Sequence, residues 1–274
     1  MKPSSQSVSQ LLPADTVQGW AARYIESSEL SHKLAPPAPP ERWASETPPG
    51  LDPRPGRPAE LVQARRGSRT PSNEALSQPE RRAMLLHVFH HHELQAAELM
   101  CWALLRFPQT PLEFRRGLLK VCLDEIRHMK MYAVHIHRLG AEIGQFRVRD
   151  WFWDRIPGVT GPASFLAVMG MGFEAGNLEH ANRFAARFRE IGDEPGAKLQ
   201  EKVAEEEVSH VAFASHWFQQ LTGELSFERW RAELPPPLTP MVMRSPPLNR
   251  PLRRAGGLPE AFIDALETWQ IDDA

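Results

Sequence analysis

A chain of 274 residues, 42% apolar and 24% charged, has the size and balance of a soluble globular protein of one large or two small domains. Its formal net charge of −2 excludes a global basic field that would draw it to nucleic acid or anionic lipid. Two cysteines exclude a disulfide framework, no apolar run is long enough for a membrane span, and the N-terminus lacks a signal-peptide pattern, so a cytoplasmic protein with no membrane partner is expected.

A short amphipathic helix is predicted from Asp15 to Leu30. Most of the 26 prolines then fall in two stretches, Leu34 to Pro79 and Pro235 to Pro259, which cannot be long helix or central strand. These read as extended arms or partly disordered linkers, and the clusters Arg65, Arg66, Arg69 and Arg250, Arg253, Arg254 read as solvated charge within them. A last helix is predicted in PEAFIDALETWQ near the C-terminus.

Four long helical patterns lie between the arms. The first runs from about Ser77, with Ser77 and Glu80 in capping-box spacing, to Phe107 before Pro108. The second has Thr110 as cap and Pro111 at the first position, and stops at Gly140. The third runs from near Pro162 to Gly192, and the fourth from near Asp193–Pro195 to Gly223. Short links make the first and second, and the third and fourth, antiparallel hairpins. The roughly 20 residues between the hairpins could reach the length of a bundle at about 3.3 Å per residue. The expected architecture is all-α: residues 1–76 as an N-terminal helix and Pro-rich arm, 77–223 as a four-helix bundle with one long crossover, and 224–274 as a C-terminal Pro-rich arm with a terminal helix.

Each long helix carries an apolar stripe at 3 and 4 spacing that is interrupted near its middle. The interruptions are Glu93; Glu125 with His128; Glu174; and Glu207 with His210. An i, i+3 pair projects from one helix face, so both side chains can reach one ion. Two Glu-x-x-His pairs and two single Glu residues form the ligand set of a carboxylate-bridged dimetal site. Charge gives the motive: four buried carboxylates are costly alone, whereas two divalent cations cancel them and neutral imidazoles add nothing. A third Glu-x-x-His, Glu29–His32, has no partner set around it and reads as accidental. Glu93 to Glu125 is 32 residues and Glu174 to Glu207 is 33, as in a duplicated hairpin. Glu93 and Glu125 stand at one level about the turn at Gln109, whereas in the second hairpin geometry leaves Glu179 open against Glu174.

DEIRH (124–128) is similar to the Asp-Glu-x-Arg-His form of several ferritin-like diiron oxygenases. HHELQAAEL (91–99), LDEIRHMKM (123–131), GFEAG (172–176), EEEVSHVAF (205–213) and GRPAEL (56–61) more closely resemble a bacterial ferritin-like family catalogued as a domain of unknown function. The resemblance implies a ferritin-like bundle and metal ligands at Glu93, Glu125, His128, Glu174, Glu207 and His210, favouring Glu174 over Glu179. It further implies that Asp124 and Glu206 each hydrogen-bond a ligand histidine of the opposite helix. Ser209 stands where the other copy has Arg127, so the outer surroundings of the two pairs differ. Tyr132, four residues after His128, sits where a ribonucleotide reductase small subunit carries a radical tyrosine, although a core tyrosine is the favoured reading.

The expected function is a dimetal, first diiron, oxidoreductase that uses O₂ or peroxide and an electron donor to oxidise or hydroxylate a small organic substrate. Manganese or a mixed Mn/Fe pair is the second choice of metal, because oxygen and nitrogen ligands do not select sharply. Nucleic acid is disfavoured as a partner and a homodimer is allowed. The alternative is a ferroxidase, metal store or peroxide scavenger with no organic substrate. Glu98 and Glu179 are expected at inter-helix hydrogen bonds or solvated edges. His87, His90, His91 and His92 are expected mainly at surface or rim positions, and His135 and His216 in the core. Cys101 and Cys122 are expected as buried thiols at unequal heights, and Trp151, Phe152 and Trp153 as pins for the crossover.

Overall fold

In a computed structural model of the chain, which describes residues 7–64 and 71–270, ten α-helices carry the architecture. Among the described residues there is no strand, only an isolated bridge between Gln63 and Val148. No helix among them is long and apolar enough to cross a membrane. The Arg65, Arg66 and Arg69 cluster lies outside the described residues. The chain forms two compact units, Met1–Asp154 and Arg155–Ala274.

The first unit is a long hairpin of α3 (Pro79–Arg106) and α4 (Leu112–Arg138), with α1 (Val17–Glu26) packed on α3 and the short α2 (Leu30–Leu34) on α4. The single amphipathic helix expected over 15–30 is therefore two helices. Thr16 caps α1 by accepting from Gly19 N, and Ser27 ends it in extended backbone. The expected starts of the long helices move by one or two residues. Gln78, not Ser77, is the N-cap of α3, with Pro79 in its first turn and no side-chain cap, while Ser77 Oγ donates to Glu74 O. Thr110 likewise turns its hydroxyl back to Phe107 O, which leaves Pro111 as the cap of α4. A proline at these places removes only an amide that would lack a helical acceptor anyway.

The second unit pairs α6 (Ala175–Glu190) with α7 (Glu194–Thr222). Asp193 caps α7 by accepting from Gly196 N, and Gly223 closes it at φ +77°, the left-handed geometry that glycine supplies at no steric cost. The expected continuous helix from Pro162 to Gly192 is a correction: α5 (Pro162–Val168) passes into a six-residue π-helical segment, Met169–Glu174, before α6 begins. Its sequence, MGMGFE, contains Gly170, where an added Cβ would stand 2.3 Å from Ala214 Cβ of α7. The close approach demands glycine, and the glycines weaken α-helical preference where the ladder widens. Helices α8 (Phe227–Ala232), α9 (Arg250–Ala255) and α10 (Glu260–Thr268) complete the unit, with Trp230, Phe227 and Phe262 in mutual ring contact.

Both Pro-rich arms insert a cation beneath a long helix. Lys33, fully buried, donates to Tyr24 O, Ile25 O and Glu98 Oε1, and Arg57 clamps Glu98 through both carboxylate oxygens. Trp153 Nε1 adds a third donor to Glu98 at 2.8 Å. Burial would raise the Glu98 carboxyl, but Arg57 and Lys33 outweigh it and hold Glu98 below the usual carboxylate range. In the second unit, Arg253 binds both oxygens of Glu179 at 2.8 and 2.7 Å, and Asn249 N donates to the same carboxylate. Arg253 is therefore a buried ion-pair partner and not the solvated loop charge expected. The crossover is pinned as expected: Gln95 Oε1 accepts from Phe152 N and Trp153 N, and Phe152 stacks on His92.

The histidine run corrects its expectation. His87, His90 and His91 are buried and only His92 is half-buried. His87 Nε2 accepts from Gly144 N, and His91 Nε2 meets Asp150, itself bound to Arg57. Both nitrogens of His90 are buried and have no hydrogen-bond partner among the described residues. Burial lowers His87 to about 4 and His90 to about 3. His216 is exposed beside Trp217, while His135 is buried as expected. Cys101 and Cys122 are free buried thiols, as expected, but their sulphurs lie 3.4 Å apart rather than at separated heights.

Two outcomes follow. Glu98→Ala strands Lys33, leaves Arg57 only Asp150, and is expected to cost about 3–5 kcal/mol in urea unfolding, whereas Arg250→Ala on the surface costs less than about 1 kcal/mol. A histidine whose folded pKa is depressed gives up stability as pH falls through its unfolded value near 6.5, continuing down to its folded value. Acidification from pH 7.5 to 5 should therefore cost roughly 2 kcal/mol through His90, and unfolding curves of His90→Phe should show a correspondingly shallower acid limb.

Candidate metal centre

Within the first unit, α3 presents Glu93 and α4 presents Glu125 and His128. One ligand atom from each lies within 4.8 Å of those of the other two, and all three residues are buried. His128 Nδ1 is 3.2 Å from Glu125 Oε2 and 3.8 Å from Glu93 Oε2. The turn of α4 sets the first distance, because residues three apart share a face. The hairpin sets the second, because Glu93 and Glu125 flank the short link symmetrically. Within the second unit, Glu174 closes the π-segment and Glu207 and His210 stand one turn apart on α7, again buried with ligand atoms within 4.8 Å of one another. His210 Nδ1 is 3.0 Å from Glu207 Oε2. Each unit thus holds a triad of two carboxylates and one imidazole, and in both the imidazole turns Nδ1 toward its carboxylate.

The electrostatics of the first triad are those of a site short of positive charge. Burial, reinforced by the Glu125 carboxylate, pushes Glu93 well above the usual carboxylate range. His128 is also desolvated, which alone would lower it, yet Glu125 and Glu93 push it up to about 12. A protonated imidazole is the only cation that this triad itself provides. That one positive charge balances one carboxylate while Glu93 is held toward its neutral form, and a bound divalent ion would let both carboxylates ionise. The donor set, carboxylate oxygen with imidazole nitrogen, suits iron, manganese or zinc.

The other sequence candidates are placed as follows. Asp124 pairs with Arg127 at 2.7 Å, and Glu206 with Lys202 at 3.1 Å. Tyr132 is buried one turn beyond His128, edge-on to Phe89 with ring centroids 6.0 Å apart. Glu98 and Glu179 have both oxygens engaged by arm cations and join neither triad. Glu29 and His32 also stand apart from the triads, with His32 beside the Tyr24 ring. Asn177 was missed: its Nδ2 donates to Glu207 Oε1 at 3.3 Å and so orients that carboxylate. Its signal was present, since it follows Glu174 by three residues on the same helix. The π-segment had a weaker signal in the paired glycines of MGMGFE.

With the two triads described, comparison with known proteins adds a family. Residues 13–264 match the family described as "Protein of unknown function (DUF455)". The chain belongs to that family. It is also similar, at 22% identity over 148 residues, to a protein of Haemophilus influenzae described as "Uncharacterized protein". That alignment covers 51% of each chain, so the chain spans about half the length of this curated relative. No solved structure matches.

Substitution can separate the charge deficit from folding. Glu93→Gln removes a carboxylate whose ionisation is penalised, so the metal-free variant is expected to unfold at the same or a higher temperature than the wild type. The same variant should lose most of the thermal shift produced by added ferrous or manganous ion, measured by calorimetry.

Proposed function

We propose that the chain has a ferritin-like fold and that its two triads are the ligand sets for two divalent metal ions, iron first and manganese or a mixed pair second. In this reading the protein is a dimetal carboxylate oxidoreductase that acts with O₂ or peroxide on a small organic substrate. The observation that carries it is the duplicated triad, in which each unit buries two carboxylates against one imidazole with ligand atoms close enough to share an ion. Five residues further along, Glu98 and Glu179 are paired instead with Lys33, Arg57 and Arg253.

Glu93, Glu125 and His128 would hold one side of the pair and Glu174, Glu207 and His210 the other. Bound there, a redox-active metal pair supplies the electron chemistry toward O₂ or peroxide that protein side chains lack. The residues around it have separate tasks. The Nδ1 of each histidine is directed at the ligand group, and Asn177 fixes the rotamer of Glu207. Asp124 and Glu206, each directly before a ligand Glu, would hydrogen-bond a ligand histidine of the opposite helix and fix its tautomer. The apolar residues Leu118, Val121, Met171, Leu178, Val203 and Val211 keep bulk water from the carboxylates.

Metal analysis after anaerobic ferrous loading should give about two ions per chain, falling to about one or none in Glu125→Ala and in Glu207→Ala. Exposure of the loaded protein to O₂ should produce the Mössbauer signature of a coupled diferric pair. Uptake far above about two ions per chain would instead support the storage reading. A chain that takes up neither iron nor manganese, with no thermal shift, would end the proposal.

A further inference from the structure

The outward face of α4 carries a row of cations, most of them without an ion-pair partner among the described residues. Arg116, Lys120, Leu123, Arg127, Lys130, Val134 and Arg138 follow one another at intervals of four and three. At about 100° per residue they all fall within an arc of roughly 80°, and at about 1.5 Å per residue they form a straight stripe some 33 Å long. Arg116, Lys120, Lys130 and Arg138 are exposed, and none has an ion-pair partner among the described residues. Arg127 is bound to Asp124, and Glu113 stands near the N-terminal end of the stripe. Leu123 and Val134 are 38% and 53% exposed, so two large apolar side chains sit in solvent between the cations. In a chain of net charge −2 this is a local segregation of positive charge.

We infer that this stripe docks an acidic one-electron carrier protein. The inference rests on the dimetal reading above and names its electron donor by surface chemistry. Glu125, on the same helix, lies about 180° from the centre of the stripe, so the triad is roughly one helix diameter, about 10 Å, beneath it. A carrier seated on α4 would reach the site without entering the apolar interior. Unpaired cations steer an acidic partner, and exposed aliphatic side chains among them provide the desolvated contact that steering alone lacks. A nucleic acid would have no use for Leu123 and Val134. A second copy would offer little complementary charge from its acidic helices: Glu194 and Glu201 are held by Arg189, Glu205 by Lys202, and Glu260, Asp264 and Glu267 by Arg250.

The test uses the full chain and its Lys120→Glu/Lys130→Glu variant, with a [2Fe–2S] ferredoxin and a flavodoxin as acidic probes. Wild type is expected to bind at least one probe at low salt, and raising ionic strength from about 20 to about 200 mM should weaken that binding. The variant should bind about tenfold or more weakly. Its metal content, melting temperature and reduction by dithionite should be unchanged, while its reduction by the bound carrier slows in proportion. Binding of neither probe, or equal binding by both proteins, would overturn the inference. So would stripe-dependent binding of duplex DNA without carrier binding, or a wild-type dimer that the variant breaks in sedimentation. Because metal content is read separately from carrier binding, loss of the docking site and loss of the dimetal reading give different results.

Discussion

A carboxylate inside a helical interior persists only if its charge is cancelled where it stands, and that constraint organises this chain. Six glutamates are buried along the four long helical segments: Glu93, Glu98, Glu125, Glu174, Glu179 and Glu207. Glu98 and Glu179 are answered by Lys33, Arg57 and Arg253, delivered by the Pro-rich arms. Of the remaining four, Glu125 lies against His128 and Glu207 against His210 within their own triads. The arms are thus part of the electrostatic design of the hairpins. Stiff, proline-fixed segments lose little entropy in holding a cation under a helix, which suits them to the task.

The two solutions have different consequences. A carboxylate clamped by guanidinium through both oxygens is chemically finished, because its lone pairs are spent and its rotamer is fixed. A carboxylate beside one imidazole keeps coordination capacity. The five-residue offset between the two kinds of glutamate, Glu93 to Glu98 and Glu174 to Glu179, turns them onto different helix faces. One face is closed by cations of the chain itself, and the other sets its carboxylates beside an imidazole, in groups that could hold a metal ion.

The long helices, the two hairpins, the mid-helix interruptions and the pinning of the crossover were legible from spacing, because 3.6-residue periodicity and proline and glycine stops act locally. Lys33 and Arg57 were not, since a cation 65 or 41 residues from Glu98 leaves no periodic trace. Arg253 looked like solvated charge for the same reason: its sequence neighbours are polar, and its burial is decided by α9 folding against α7. The His87–His91 run misled because consecutive residues cannot share one helix face. Burial on several faces at once requires the Gly144 and Asp150 loop to cover them, and pattern alone cannot show that. Helix periodicity also assumes a constant ladder, so the wide turn at Met169–Glu174 escaped it.

That wide turn sets the angular phase of everything before it relative to everything after it. A π-helical turn holds about one residue more than an α-helical turn, so removing a single position from MGMGFE would let the segment relax to ordinary helix. The ladder would survive with its bonds intact, but Glu174 would swing by about 100° relative to α5. Length polymorphism at this one spot would thus give a similarly folded chain in which Glu174 no longer meets Glu207 and His210, a difference invisible to helix content.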